Sequence, residues 1–398
     1  MGLEAEVISY GKQWIDDDDI AAVTEVLKSD FLTQGPRIDQ LEKALAEYTG
    51  ARYAVVVANG TAALHLAVQA LNITKGKQGI TSPITFAASA NCLLYNGLKP
   101  GFADIEENTY CIDPVEIEKQ ITDETAVLIP VHFAGQPADM EHIRNIARKH
   151  GLFIIEDASH AIGSRFKNGK MVGSCCYSDM AIFSFHPVKT IATGEGGAVT
   201  TNDKDIYEKL LLLRNHGITK DPGKFKVRDS KFPTGPWYYE MQELGFNYRL
   251  TDIHAAIGLS QLKKIDRFIR RRREIVAAYN HAFKDIPWLT LPYERDGVQS
   301  AFHLYVIKID FKRIKKTRTQ VMQELREQGI GTQVHYIPVH LQPYYREQYG
   351  TREGDYPKAE GYYEHCLSIP LYPAMSDEDV HRVIAAVIKS EVNAGFPR

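Results

Sequence analysis

Residues 53–71 read YAVVVANGTAALHLAVQAL, an apolar run, a turn of small residues and a helical stretch in direct succession. The run 53–57 is rich in β-branched residues, whereas 61–71 has the length and apolar content of a helix. The same alternation continues to Thr200 through further strand-like and helical runs: 101–105, 127–131, 140–150 and 152–155. Strands that alternate with helices of this length predict an α/β fold with a mainly parallel central sheet flanked by helices.

Helical patterns precede this alternating region. Apolar residues recur at helical spacing after the acidic run 16–19, and again between Ile38 and Tyr48, where Gly50 suits the end of a helix. The four aspartates favour a helix start, whose dipole attracts negative charge, over the alternative of a metal site.

Downstream of Leu250 the sequence predicts a long helical stretch and then a second set of short strands and helices, of which the clearest are 302–309, 321–328 and 377–389. We therefore expect a large domain over residues 1–255 and a smaller C-terminal α+β domain over residues 256–398. The arginine run 270–273 favours a solvated helix face or a subunit contact over a nucleic-acid patch, because the chain as a whole is acidic.

The composition argues against several classes of partner. With 47 Lys and Arg against 50 Asp and Glu, the formal net charge of -3 supplies no positive field to gather nucleic acid or an anionic membrane. The five cysteines show no C-x-x-C spacing and suit a reducing compartment. No signal sequence is apparent, and no apolar run reaches the roughly 18 residues of a spanning helix. We expect a cytoplasmic protein that acts on small molecules.

The segment 183–189 reads FSFHPVK and is followed by the glycine-rich run TGEGG at 193–197. Aromatic and apolar neighbours would desolvate Lys189 and lower the pKa of its amine, so that the neutral amine can attack an aldehyde. The glycines permit close approach of the backbone to a bulky ligand. On this segment alone, a surface lysine at a turn is the commoner explanation.

The run IIEDASH at 154–160 ends an apolar strand in an acidic residue. A carboxylate at a strand end is well placed to pair with a pyridinium nitrogen, which makes the ring an electron sink. Asp157 is equally suited to cap a helix. Ligands of parallel sheets bind at the C-terminal ends of strands, so the loop after this strand is a place to look for chemistry.

Two further features could bind a cofactor that has a phosphate group and an aromatic ring. The backbone amides and the Thr61 hydroxyl that follow the strand 53–57 would lie at a helix N-terminus, which favours an anion. A strand-to-helix turn that binds no phosphate is common, however. In PITFAA at 83–88, Phe86 is a candidate to lie flat on a cofactor ring, with a core aromatic as the equal alternative.

Taken in order, these segments resemble the DegT/DnrJ/EryC1/StrS sugar aminotransferases of the fold-type I pyridoxal-phosphate superfamily. The similarity runs over nearly the whole chain, from FLTQGP at 31–36 to LSIPLYP at 367–373. The resemblance implies a pyridoxal 5′-phosphate (PLP) enzyme that transfers an amino group to a nucleotide-linked keto-sugar. The related sugar dehydratases carry histidine in place of Lys189, so the lysine favours transamination.

The resemblance also implies roles for individual residues around the cofactor ring. Lys189 would hold PLP as a Schiff base and act as the catalytic residue. Asp157 would pair with the pyridine nitrogen, His160 would lie near the phenolic oxygen, and Phe86 would stack on the ring. No metal ion is implied.

The phosphate ligands that the resemblance implies come from two chains. Those of one chain are Gly60, Thr61, Ala62 and Ser184. Asn247 would reach in from the neighbouring subunit, which implies a homodimer with shared active sites. Asn59 stands where many members have serine, a departure that leaves the backbone amides of the site intact.

Three motifs resemble the family branch of pseudaminic acid biosynthesis: FLTQGP at 31–36, GLSQLKK at 258–264 and QVHYIP at 333–338. That branch makes UDP-4-amino-4,6-dideoxy-N-acetyl-β-L-altrosamine from the UDP-linked 4-keto sugar, with L-glutamate as amino donor. Enzymes that act on other nucleotide keto-sugars share most of these motifs, which leaves them as alternatives.

Three residues are candidates for contacting a carboxylate or the nucleotide sugar, because these groups call for fork-like or hydroxyl donors: Arg249, His335 and Tyr336. Solvent-facing or interface roles are the open alternatives for them. A nicotinamide-dependent oxidoreductase would need a G-x-G-x-x-G turn after the first strand, and NGTAA at 59–63 does not supply that spacing.

Overall fold

A computed structural model of the chain describes residues 7–227 and 235–392. Within these ranges, no helix combines the length with the apolar content that crossing a membrane requires. The helices are α1 Asp17–Leu27, α2 Pro36–Thr49, α3 Gly60–Ala70, α4 Ala88–Tyr95, α5 Pro114–Gln120, α6 Met140–His150, α7 Lys204–Leu213, α8 Asp252–Leu262, α9 Ile265–Phe283, α10 Arg318–Glu327, α11 Pro343–Tyr349, α12 Pro357–His365 and α13 Asp377–Val392.

The strands form a large sheet, a small sheet and a short two-stranded ribbon. They are β1 Tyr53–Val57, β2 Gln78–Thr81, β3 Lys99–Phe102, β4 Thr125–Ile129, β5 Phe153–Asp157, β6 Met180–Ser184, β7 Gly197–Thr201, β8 Ile218–Thr219, β9 Glu240–Met241, β10 Leu289–Thr290, β11 Tyr305–Ile309 and β12 Cys366–Ile369.

The large sheet has seven strands in the order β1-β7-β6-β5-β4-β2-β3. Its strands run parallel except for β7, which is antiparallel to both β1 and β6. β7 reverses direction because a loop, 185–196, joins it to β6 without a crossover helix. The prediction of a mainly parallel sheet flanked by helices is confirmed.

On the two outer strands of this sheet, some of the outward-facing backbone N–H and carbonyl groups are already hydrogen bonded or missing. At β1, the Val56 N–H donates to Glu42 Oε1 at 2.9 Å and the Val56 carbonyl oxygen accepts from Arg214 Nη1 at 2.7 Å. Glu42 and Arg214 also form an ion pair with each other. At the opposite edge β3 contains Pro100, which has no N–H to donate.

The aspartate run 16–19 starts α1, as predicted. Asp16 and Asp19 form a capping box at its first turn, and the Lys264 amine lies 2.5 Å and 2.7 Å from their carboxylates. Lys264 itself stands at the junction of α8 and α9, where the long helical stretch expected after Leu250 divides into two helices.

A second core surrounds the small antiparallel sheet β10-β11-β12, with α9, α10 and α13 packed against it. The division into domains at 1–255 and 256–398 stays a prediction. The solvated face expected for the arginine run 270–273 is wrong for Arg272, which is buried. Its neighbours Arg271 and Arg273 form ion pairs with Asp377 and Glu294, respectively.

Residues 337–365, here named the outer segment, cross from the small sheet to the flank of the large one. Tyr345 packs against Phe102 of β3, and its hydroxyl donates to Asn91 of α4 at 2.6 Å. The Asp104 carboxylate accepts from the backbone N–H groups of Lys358 and Ala359, both at 2.9 Å, at the start of α12. The outer segment therefore ties the two sheets together.

Candidate active site

A cavity of about 740 Å³ opens where β1, β5 and β6 end and the antiparallel β7 begins. This is the edge of the sheet at which parallel α/β folds bind ligands. Most of the residues singled out from the sequence line this cavity: Gly60, Thr61, Ala62, Phe86, Asp157, His160, Ser184, Lys189, His335 and Tyr336. Asn247 and Arg249 do not.

Lys189 lies in the loop between β6 and β7. Two backbone hydrogen bonds shape this loop, from Lys189 N–H to the His186 carbonyl at 2.8 Å and from Thr193 N–H to the Phe185 carbonyl at 2.9 Å. Burial among the cavity walls lowers the pKa of the Lys189 amine to about 8, although the charge of Asp157 opposes this change. A large fraction of the amine is therefore neutral, and so nucleophilic, slightly above neutral pH.

Asp157 ends β5, and its carboxylate is held in place before any ligand binds. Oδ2 accepts from the Ser89 hydroxyl at 2.6 Å, and Oδ1 accepts from the Ser159 N–H at 3.1 Å. A hydroxyl–hydroxyl contact of 2.7 Å between Ser89 and Thr85 fixes the donor in turn. The carboxylate is 4% exposed, so its remaining lone pairs face the cavity as strong acceptors for a charged nitrogen.

His160 is buried and hydrogen bonded at both ring nitrogens. The Ala134 N–H donates to Nδ1 at 3.3 Å, so in the neutral ring the proton sits on Nε2, 3.2 Å from the Tyr336 oxygen. Burial first, and then the nearby Lys189 and His335, hold the pKa of His160 well below its usual range. His160 therefore remains a neutral donor at physiological pH.

The turn after β1 presents the N-terminus of α3 to the cavity. The Asn59 side chain caps this helix by accepting from the Ala62 N–H at 2.8 Å, and the first two amides, of Gly60 and Thr61, have no partner within the helix. A Cβ on Gly60 would lie 2.9 Å from the Ser184 Cβ, so only glycine allows this close approach of the start of α3 to the end of β6.

Phe86 is 63% exposed although it lines a cavity, and its ring centroid lies 6.4 Å from that of Tyr336. An apolar ring so exposed at a cavity wall is available to cover a planar ligand.

His335, another residue of the cavity wall, is anchored by a 2.8 Å hydrogen bond between Nδ1 and the Ser368 hydroxyl. Burial and the nearby Lys189 lower the pKa of His335 to about 3, so its ring is neutral.

Asn247, predicted to act from the neighbouring subunit, and Arg249, predicted to contact substrate, lie outside this cavity. In the segment 246–249, Phe246 and Tyr248 stack on each other, and Tyr248 lines the cavity. Asn247 and Arg249 alternate with them and lie outside it, with Arg249 Nη1 donating to the Asn215 side chain at 2.7 Å. A site on a second copy of the chain is compatible with this placement, and their roles stay predictions.

Sequence reasoning missed three residues that shape the cavity. Tyr10 lines it from the N-terminal segment, with its ring centroid 5.2 Å from that of His335. His303 lines it from the loop before β11, and Ser89 orients Asp157 from α4. None of the three carries a local signal of chemistry, because each reaches the site through the tertiary fold.

The chemistry of these residues fits PLP. Asp157 can pair with the pyridine nitrogen, the free amides and the Ser184 hydroxyl beside Gly60 can bind the phosphate, and Lys189 supplies a reactive amine for the aldehyde. The cavity volume of about 740 Å³ leaves room for a substrate beside the cofactor.

Comparison with known proteins covers almost the whole chain. The sequence profile of the DegT/DnrJ/EryC1/StrS aminotransferase family matches residues 13–388. The spore coat polysaccharide biosynthesis protein SpsC of Bacillus subtilis (strain 168) is 44% identical over 381 residues, which is 96% of this chain and 96% of SpsC.

Solved structures of aminotransferases also match almost the whole chain. Helicobacter pylori PseC, described as an aminotransferase involved in the biosynthesis of pseudoaminic acid, has a TM-score of 0.89 and 34% identity, covering 97% of this chain and 100% of PseC. Spr1654 from Streptococcus pneumoniae, solved in PLP and PMP forms, has a TM-score of 0.88 and 28% identity for its PLP form. That match covers 98% of this chain and 100% of Spr1654.

Proposed function

Because the chain belongs to the DegT/DnrJ/EryC1/StrS aminotransferase family of PLP-dependent sugar aminotransferases, we propose that it transfers the amino group of L-glutamate to a UDP-linked 4-keto-6-deoxy-hexose. The products are 2-oxoglutarate and UDP-4-amino-4,6-dideoxy-N-acetyl-β-L-altrosamine, as in pseudaminic acid biosynthesis. The observation that carries the proposal is the meeting of Lys189, Asp157 and the N-terminus of α3 in one cavity.

The proposed mechanism uses Lys189 as both anchor and proton carrier. When bound, PLP supplies an aldehyde that takes up the amino group and a ring that withdraws electrons. Lys189 Nζ would hold the cofactor between turnovers and, as a free amine, would take the proton from the glutamate Cα. In the second half-reaction it delivers a proton to C4 of the sugar.

Asp157 and His160 keep the site ready for both half-reactions. Asp157 would hold a proton on the pyridine nitrogen, and Ser89 and Ser159 fix its carboxylate. His160 would lie near the phenolic oxygen. Because its Nε2–H points to the Tyr336 oxygen, the Tyr336 hydroxyl proton would be the one available to donate there. Phe86 would cover the ring, and Gly60, Thr61 and Ser184 would hold the phosphate. The Ala62 N–H, also predicted as a phosphate ligand, donates to the Asn59 side chain instead.

We also propose that the active site is completed by a second copy of the chain, which contributes Asn247 to the phosphate and Arg249 to a substrate anion. Large apolar side chains cluster just before these residues, with Trp237 69% exposed and Leu244 72% exposed. Exposed apolar residues of this size in one short segment are typical of a surface that another protein covers.

An absorbance titration of the purified protein tests the cofactor, the donor and the first half-reaction together. A band near about 420 nm should fall and one near about 330 nm should rise when L-glutamate is added. Absence of the first band, even after incubation with PLP, would refute the role of Lys189.

The acceptor requires a separate test, because SpsC is more similar in sequence than PseC and favours a second candidate, another nucleotide keto-sugar of a surface polysaccharide. The protein is first treated with L-glutamate and is then mixed with the UDP-linked 4-keto-6-deoxy-hexose or with a dTDP-linked 4-keto sugar. The product is identified by mass spectrometry and NMR. Amination of the dTDP sugar alone would select the second candidate.

A further inference from the structure

A buried cation without an acidic partner lies behind one wall of the cavity. Arg272 is 1% exposed, and its Nη1 donates to the carbonyl oxygens of Phe302, His303 and Leu371 at 3.4, 3.1 and 2.8 Å. Its Nε has no hydrogen-bond partner, and within 7–227 and 235–392 no carboxylate pairs with the guanidinium. A buried charge without a counter-charge is costly, so an anion near this wall would be stabilised.

His303 separates Arg272 from the cavity. Its carbonyl oxygen accepts the hydrogen bond from Arg272, whereas its ring lines the cavity, 4.4 Å between centroids from the ring of His160. Nδ1 of His303 is enclosed and has no hydrogen-bond partner. A proton on Nδ1 would have no acceptor, so the neutral ring carries it on Nε2, the nitrogen that remains within reach of a ligand.

The electrostatic surroundings of His303 favour a negative ligand. Burial first, and then His160, Lys189, Arg272 and His335, hold the pKa of His303 well below its usual range. Because His160 and His335 are themselves neutral, the positive potential at the ring comes from Arg272 and, below about pH 8, from Lys189. A carboxylate oxygen placed against Nε2–H would gain both a hydrogen bond and this potential.

The proposed amino donor carries the negative charge that would balance Arg272 at this wall. L-glutamate carries two carboxylates, whereas Lys189 is the one cationic side chain among the described residues that line the cavity. Lys189 is committed to the amine chemistry. A carboxylate subsite must therefore use a neutral donor backed by a buried charge, or a residue from outside this chain's cavity.

We propose that His303 is a further substrate-contacting residue, which binds a carboxylate of the amino donor through Nε2–H while the buried charge of Arg272 strengthens the contact. The inference rests on the proposed function, because it assigns the donor of that reaction to a named residue. A sugar hydroxyl is the other acceptor that Nε2–H can serve, but the field of Arg272 favours the anion.

The test measures binding to the full-length, PLP-loaded protein with two probes that do not react, maleate as a dicarboxylate and UDP as the nucleotide. His303→Phe keeps the volume of the ring and removes the donor, whereas His303→Gln keeps an N–H donor. Calorimetry should show maleate binding weakened at least about tenfold in His303→Phe and changed less than about threefold in His303→Gln. UDP affinity should stay at the wild-type value in both variants.

Three results would overturn the proposal: wild-type maleate affinity in His303→Phe, parallel losses of maleate and UDP binding, or no maleate binding by the wild-type protein. His142→Phe, exposed on α6, is the matched control. If His303→Phe does not fold, as judged by thermal melting, His303→Met takes its place. If the wild-type spectrum does not respond to L-glutamate, the proposed function fails, while the maleate titration still decides the carboxylate subsite.

Discussion

At the residue scale, burial gives Lys189 a reactivity that an ordinary lysine lacks. The pKa of its amine is lowered from 10.5 to about 8, and only the neutral amine attacks an aldehyde. The rate at which cofactor-free protein captures PLP should therefore rise about tenfold per pH unit below pH 7 and level off above about pH 8. Stopped-flow absorbance measures this rate, with Lys189→Ala as the blank. A rate that continues to climb to about pH 10 would contradict the lowered pKa.

Asp157 offers a second prediction at this scale. Asp157→Asn should slow the L-glutamate half-reaction about a hundredfold, because a charged hydrogen bond contributes up to about 3 kcal/mol. Ser89→Ala, which removes one neutral donor and leaves the carboxylate, should cost tenfold or less by the same reasoning. Single-turnover absorbance decays give both rates. Near-normal turnover by Asp157→Asn would refute its pairing with the pyridine nitrogen.

The buried histidines of the cavity link stability to pH. The pKa values of His160, His303 and His335 are lowered in the folded protein, that of His335 to about 3. Below about pH 6.5 the unfolded chain therefore binds protons that the folded chain excludes. As the pH decreases in this range, the free energy of unfolding decreases by about 1.4 kcal/mol per pH unit for each histidine.

We expect urea unfolding of His335→Gln to show a correspondingly smaller loss of stability between about pH 6 and 5 than the wild type. Both proteins are measured at the same concentration, because association shifts apparent stability. An identical pH slope in the two proteins would show that His335 is not held neutral by the fold.

At the element scale, the outer segment depends on a cap that it receives from another element. Asp104, after β3, accepts from two amides at the start of α12, as a helix-capping residue does. Asp104→Ala should lower the free energy of unfolding by about 1–2 kcal/mol and expose residues 337–365 to proteolysis. Asp203→Ala removes the cap of α7 and should cost similar stability without that cleavage. Equal cleavage of both variants would argue against a specific role of Asp104 in holding the outer segment.

Sequence patterns predicted the elements that end in strong local signals. α6 was predicted at its observed bounds of 140 and 150, and Gly50 closes α2 in the left-handed conformation with φ of 78°. The direction of β7 was not predictable, because nothing in a five-residue strand reports which neighbour it pairs with. The break between α8 and α9 was missed because apolar periodicity continues across Lys264.

The same contrast applies to the site. Lys189, Asp157 and His160 lie in recognisable runs and were found, and they share one cavity. His303 was missed because a histidine before a short apolar strand carries no signal, and its environment is created by α9, which lies some thirty residues earlier in the sequence. The catalytic and binding roles themselves stay predictions.

At the scale of the whole molecule, the proposed dimer makes each active site a joint product of two chains. Lys189→Ala and Asn247→Ala should each be inactive or nearly so as pure proteins. Mixed dimers of the two variants should regain activity, because one of their two sites receives an intact Lys189 from one chain and an intact Asn247 from the other. Rates of purified, differently tagged heterodimers measure this, and heterodimers as inactive as the parents would refute sharing.

The ion pair at the edge of β1 has a consequence for how copies of the chain can meet. Glu42 and Arg214 together imitate a peptide group, since the carboxylate accepts from the Val56 N–H as a carbonyl would and the guanidinium donates to its oxygen as an amide would. At the far rim, Pro100 interrupts the row of donors. Both outer strands thus lack an unbroken row of free backbone groups, which disfavours edge-to-edge polymerisation of the chain and favours association through side-chain surfaces.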